Sequence, residues 1–206
     1  MDSVSSPIRP RLARSLAAGV SLALGVGILT GLATLAGQGF MPGQWNTLVN
    51  SGAIWLVPVF LVGSRMPSRA WAAVAGTGTL LATVAAYYGA AALTGAPISL
   101  RNVMFWAAVA LVAGPLFGLA GQGRRDDRRA LRVAGVALLG GVLVAEGLYL
   151  LLVLKYYWSG GTMVLAGALA AALLAQRSDR LRTLLVLPVP AMAAGLAYAV
   201  IYWLTI

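Results

Sequence analysis

The sequence predicts an all-α fold, a polytopic bundle of membrane-spanning helices. Three observations predict it: the apolar content, the division of the chain into long apolar runs, and the positions of the arginines. Hydrophobic residues make up 60% of the 206-residue chain and charged residues 10%, and the mean hydropathy is +0.87. A soluble domain is about half apolar and about a quarter charged. A core of this size cannot hide the excess, so lipid must cover part of it. The same figures exclude intrinsic disorder.

Seven apolar runs follow one another at 16–36, 48–62, 70–93, 103–121, 133–154, 162–175 and 184–206. At ~1.5 Å per residue most of them reach the ~30 Å hydrocarbon thickness, some with help from the flanking turn. The first follows Arg9, Arg11 and Arg14, as the core of a signal peptide would. It is longer than the ~7–15 residues of such a core, so it reads as a first span. The sixth is the shortest and spans only if Tyr157 and Trp158 form its interfacial end. Residues 1–15 read as a basic cytoplasmic tail and 16–206 as a single transmembrane domain. Pro58, Pro115 and the pair Pro188/Pro190 fall inside runs and are expected to kink their helices, since proline removes a backbone donor.

Charge placement tests the count. With the N-terminus inside, thirteen basic residues are cytoplasmic: Arg9, Arg11, Arg14, Arg65, Arg69, Arg124, Arg125, Arg128, Arg129, Arg132, Arg177, Arg180 and Arg182. Only Arg101 and Lys155 fall outside. That bias is the positive-inside pattern, and it supports seven spans with the C-terminus outside. Trp45, Tyr87, Tyr88, Tyr156, Tyr157, Trp158, Tyr202 and Trp203 then cluster at outer ends, where amphipathic rings favour the interface. Small residues at four-residue spacing, Ala23/Gly27/Gly31 and Ala110/Gly114/Gly118, suit close helix packing within the bundle.

The net charge of +10 first suggests nucleic acid. The charges lie in short clusters between apolar runs, so no nucleic-acid partner is expected. With no cysteine and no histidine, disulfides, the usual zinc sites, haem ligation by His and Cys or His catalysis are excluded. No metal site, cofactor or enzymatic activity is expected. Among the five acidic residues, Asp2 lies in the tail. Asp126, Asp127 and Asp179 read as parts of solvated charge clusters.

Glu146 differs. It lies inside an apolar run, roughly 21 Å beyond Arg132, where an uncompensated carboxylate costs several kcal/mol. Such residues are functional candidates; the alternative is structural, either a pair with Arg101 or Lys155 or a protonated carboxyl hydrogen-bonded between helices. Other polar groups lie at similar depth: Thr30, Thr34 and Gln38 on one helix face, Asn46 and Asn50 on another, Thr79, Thr83 and Tyr87 on a third. Tyr149 neighbours Glu146 at i+3, Arg101 opens the fourth run, and Tyr198 and Tyr202 share a face of the seventh. They are expected to converge on a polar cavity open to the outside, with Glu146, Arg101, Asn46, Asn50, Gln38, Tyr149 and Tyr87 as ligand-binding candidates.

The stretch 42–55, with its pattern Trp45-Asn46-x-Leu48-x-Asn50-Ser51-Gly52-Ala53-x-Trp55, is distinctive. With Phe60-Leu61-Val62-Gly63, Gly114-Pro115-Leu116-Phe117-Gly118 and Ala145-Glu146-Gly147-Leu148-Tyr149, it resembles an uncharacterised family of small multi-pass membrane proteins from actinobacteria. The resemblance implies a membrane location and a helical bundle, and no activity. Two functions are expected: binding or transport of a small solute through the outward cavity, or a non-catalytic partner or scaffold role in a membrane complex. The expected partners are the lipid bilayer, a small solute and other membrane subunits. The expected location is the bacterial plasma membrane.

Overall fold

A computed structural model describes the backbone of residues 8–205 and the side chains of residues 17–199. The described chain is all-helical and contains no strand. Its α-helices are α1 (Ile8–Phe40), α2 (Asn46–Val49), α3 (Gly52–Gly63), α4 (Arg69–Leu93), α5 (Leu100–Gly123), α6 (Arg129–Leu152), α7 (Tyr157–Leu174), α8 (Arg180–Val186) and α9 (Pro188–Thr205). Helix α1 already includes part of the basic N-terminal stretch. Asp2 lies outside the described residues, as do the side chains of Arg9, Arg11, Arg14, Tyr202 and Trp203.

Six segments are long and apolar enough to cross a membrane, or seven if the bent pair α8–α9 is one span. The sixth run, short in sequence, is an unbroken helix from Tyr157. The weak span is the seventh, which bends by 42° between Val186 and Pro188. Pro188 starts α9, where its missing donor costs no helical bond. The expected kinks at Pro58 and Pro115 do not break their helices, since α3 and α5 each run through their proline. The second segment is broken elsewhere. A 3₁₀ turn (Gly43–Trp45) and α2 lead to Ser51, whose backbone is extended (φ −73°, ψ 122°), before α3 begins.

Helix ends follow sequence signals. Ser51, Ser68 and Ser99 cap α3, α4 and α5, each side chain accepting from the amide three residues on. Gly95 (φ +75°) ends α4: Gly95 N–H donates to Ala92 and Ala96 N–H to Ala91, a Schellman closure that requires the left-handed conformation.

In the packing, α1 lies on α4, α4 packs on α5, α3 lies against both α4 and α5, α5 meets α6, and α6 is flanked by α7 and α9. The small-residue stripes are intramolecular seams. A Cβ at Gly27 or Gly31 would lie 2.3 or 2.4 Å from the carbonyl oxygens of Thr79 or Thr83, so α1 and α4 touch backbone to backbone. Gly114 and Gly118 form the same kind of seam with α4. Deep residues such as Val59, Phe60 and Leu139 are fully buried, whereas Leu29, Val112, Leu173 and Leu196 on the outer surface are more than two-thirds exposed. A surface this apolar is unfavourable in water and matches hydrocarbon.

The turns after α3, α5 and α7 meet at one end of the bundle, and they are tied by ions rather than merely solvated. Arg69 pairs with Asp126 at 2.7 Å. Arg129 and Arg132 both bind Asp179, at 2.6 and 2.9 Å, and Arg124 Nε donates to the Leu174 carbonyl. Asp179 is only 1% exposed. This corrects the reading of Asp179 and Asp126 as solvated charges; Asp127 is exposed as expected. The Arg69 hydrogen bond holds the Asp126 carboxyl below its ordinary range. Burial pushes Asp179 up, but the hydrogen bonds from Arg132 and Arg129 outweigh it and leave the carboxyl lowered.

Candidate functional site

The break at Asn50–Ser51 fixes the site. It leaves the first amides of α3 without helical partners inside the bundle, away from bulk water. Ser51 Oγ takes the amide of Ile54 at 3.0 Å. The Glu146 carboxylate, from the facing turn of α6, takes the amide of Ala53 at 2.8 Å. The same oxygen, Oε2, accepts from the Tyr198 hydroxyl of α9 at 2.6 Å. Glu146 is 7% exposed and Ala53 fully buried. The positive end of the α3 dipole, about half a charge, favours an anion at this place. Among the described residues no arginine or lysine pairs with Glu146.

Glu146 lines a cavity of about 420 Å³. It is lined by residues of α3, α4, α5, α6 and α9, and α5 and α9 do not pack extensively on each other. The wall is aromatic and apolar, with Trp55, Phe105, Trp106 and Phe117, and its polar members are Glu146, Asn50 and Tyr198. Trp55 is held by a 3.0 Å hydrogen bond from its indole nitrogen to Thr34 Oγ1, and its ring tilts against Trp106 at 5.3 Å.

Four of the candidates from sequence form a second polar cluster beside this cavity. Gln38 Nε2 donates to Asn50 Oδ1 and to the Tyr87 hydroxyl (3.0 Å), and Asn46 Nδ2 donates to the Gln38 carbonyl (2.9 Å). Asn50 Nδ2 completes the ring to Asn46 Oδ1 at 3.3 Å. Asn50 belongs to both the cluster and the cavity wall, so it joins Gln38, Asn46 and Tyr87 to the region of Glu146.

The other two candidates are placed apart. Arg101, in the first turn of α5, is exposed and does not pair with Glu146. Tyr149 stacks on Tyr198 (5.8 Å, 16°) and lines a different groove, of about 640 Å³, between α6 and α9. That groove is larger, but its wall is nearly all hydrocarbon, the surface a lipid chain would fill. The expectation that all polar stripes would converge is corrected. Thr30, Thr79 and Thr83 bond carbonyls four residues back on their own helices and present nothing to the cavity.

Sequence reasoning missed the Ala53 amide, Trp55 and Trp106 as parts of the site; it expected Tyr198 at the cavity but not among the ligand-binding candidates. One signal was available: Asn50-Ser51-Gly52 is a turn-and-cap signature set inside an apolar run.

Residues 10–205 match a family of unknown function, DUF6518. The chain belongs to this family. No curated protein and no solved structure matches it significantly. The match covers all the residues of both polar clusters, so the site lies within the DUF6518 part of the chain.

Proposed function

We propose that this DUF6518 protein is a seven-span bacterial cell-membrane protein that binds a small solute beside Glu146, in support of transport. Thirteen arginines set at one end favour that end in the cytoplasm, with the N-terminus inside and the C-terminus outside. The outer end then carries Asn46, Asn50, Gln38 and Tyr87.

One observation carries the solute reading. Glu146 is a buried carboxylate on the wall of a cavity, at a broken span, and it has no cationic partner among the described residues. An ionisable side chain at this depth that faces a cavity is a functional candidate by default. Discontinuous spans recur at transporter binding sites, because freed backbone groups there can serve a ligand. The cavity differs from the one expected from sequence: it is aromatic and apolar, with its polar cluster at one side.

Stabilisation of the purified full chain by a metabolite panel tests the reading. A ligand at a hundred times its Kd raises stability by ~2.7 kcal/mol. The expected result is a hit that disappears when the cavity is filled by Ala113→Phe. Hits that bind Ala113→Phe as tightly as the parent chain would place binding elsewhere, and a panel without hits would favour a packed scaffold subunit.

A further inference from the structure

We propose that the ligand of the Glu146 cavity is an organic ammonium ion carrying a compact apolar body. This inference rests on the solute-binding reading and adds the chemical class. The first ground is charge. Among the described residues, Glu146 is the only Asp, Glu, Lys or Arg on the cavity wall, and neither arginine nor lysine pairs with it. Its hydrogen-bond donors, the Ala53 amide and the Tyr198 hydroxyl, are both neutral. The α3 dipole offsets about half a charge, so the cavity keeps a net negative potential. An anionic ligand would be repelled there. A neutral one would leave the carboxylate uncompensated, whereas an ammonium ion neutralises it and donates to it.

The second ground is the aromatic wall. A Cβ built at Gly52 would lie 3.1 Å from Trp106 Cη2 and 3.2 Å from Cζ3, so the indole rests against the chain at Gly52. The next residue, Ala53, supplies the amide that holds the carboxylate. Indole and carboxylate therefore flank one turn of chain, and Trp55 stands against Trp106. An aromatic face with a carboxylate beside it attracts a desolvated cation from two sides. The third ground is size: about 420 Å³ is near the small end of ligand cavities and admits a body of roughly one ring.

Three probes of one shape decide between the classes: benzylammonium, benzyl alcohol and phenylacetate, titrated against the purified full chain in lipid nanodiscs by calorimetry. Saturable binding of benzylammonium at least tenfold tighter than of either other probe is expected. Glu146→Gln should weaken it tenfold or more. Trp106→Leu should weaken it several-fold, while Trp106→Phe retains most of the affinity, a difference that simple loss of packing would not produce. The two Trp106 variants keep the test open if Glu146→Gln fails to fold. Equal or tighter binding of benzyl alcohol or phenylacetate would overturn the cation assignment and leave the solute site standing. Failure of benzylammonium to bind would also overturn it, and the metabolite panel with Ala113→Phe would still decide the site itself.

Discussion

Substituting alanine at two glycines of the same bundle should change stability in opposite directions. At Gly118 a Cβ would lie 2.1 Å from the Ala72 carbonyl oxygen and 3.2 Å from Gly76 Cα. Both obstacles are backbone, so no side chain can swing aside. Contact distances of ~3.5–4 Å then require α4 and α5 to part by roughly 1 Å or more, which forfeits dispersion along the seam. Overpacking of this kind costs about 1–3 kcal/mol, and the seam is what holds these helices together in lipid. Alanine's helix preference over glycine returns ~0.5–1 kcal/mol, too little to reverse the sign. At Gly78, also inside α4, nothing lies within 4 Å of the same added atom, so Gly78→Ala should gain that preference unopposed. Reversible thermal unfolding in one detergent measures both variants. At this chain length each kcal/mol is worth about 2–4 °C, so Gly118→Ala should lower Tm by several degrees and Gly78→Ala should raise it slightly. A Gly118→Ala protein as stable as the parent chain would refute the α4–α5 seam.

The ion ties at the arginine-rich end make stability depend on pH below the usual carboxylate range. Asp179 has a lowered pKa in the folded chain, so its contribution is fully present above its unfolded value of about 4 and is lost as pH falls through the folded value. Acid titration of Tm should show this loss, and Asp179→Asn should remove it while lowering Tm at pH 7 more than Asp127→Asn does; equal effects would argue against the buried tie. The chain has no cysteine, so single cysteines report topology directly. An impermeant thiol reagent on intact cells should label Ala96→Cys and Gln44→Cys and leave Asp127→Cys unlabelled, and the reverse pattern would invert the orientation.

The helices long and apolar enough to cross a membrane were legible in the sequence because lipid imposes a one-dimensional rule: a spanning helix must be predominantly apolar along its length. That rule located α4, α5, α6 and α7 to within a few residues. The small-residue stripes were legible too, since four-residue spacing defines one helix face. What failed were inferences that need the rotation of one helix against another. Arg101 and Glu146 looked like partners by depth, yet Glu146 faces the start of α3 and Arg101 projects from the exposed first turn of α5. Asp179 looked solvated because its two arginines lie some fifty residues away and meet it only once the turns are assembled. The kink expected at Pro58 leaves α3 unbroken, because only the proline's own amide is missing and closely packed neighbours hold the helix together.

The break at Ser51 and the acid at Glu146 explain each other. A continuous helix through residues 43–63 would have paired the Ala53 amide within the helix at no cost in buried charge. Breaking it frees the Ala53 amide, which then needs an acceptor that lipid cannot provide. A serine or a backbone carbonyl would serve, as Ser51 serves Ile54. A carboxylate does more than the amide requires, since one of its oxygens already accepts both the amide and the Tyr198 hydroxyl. The carboxyl group also lines a cavity whose wall is otherwise mostly aromatic and aliphatic. Backbone satisfaction accounts for an acceptor at this position but gives no reason for that acceptor to be ionisable. The ammonium-binding proposal supplies the reason, because a charged acceptor favours a cation over a neutral molecule of the same shape.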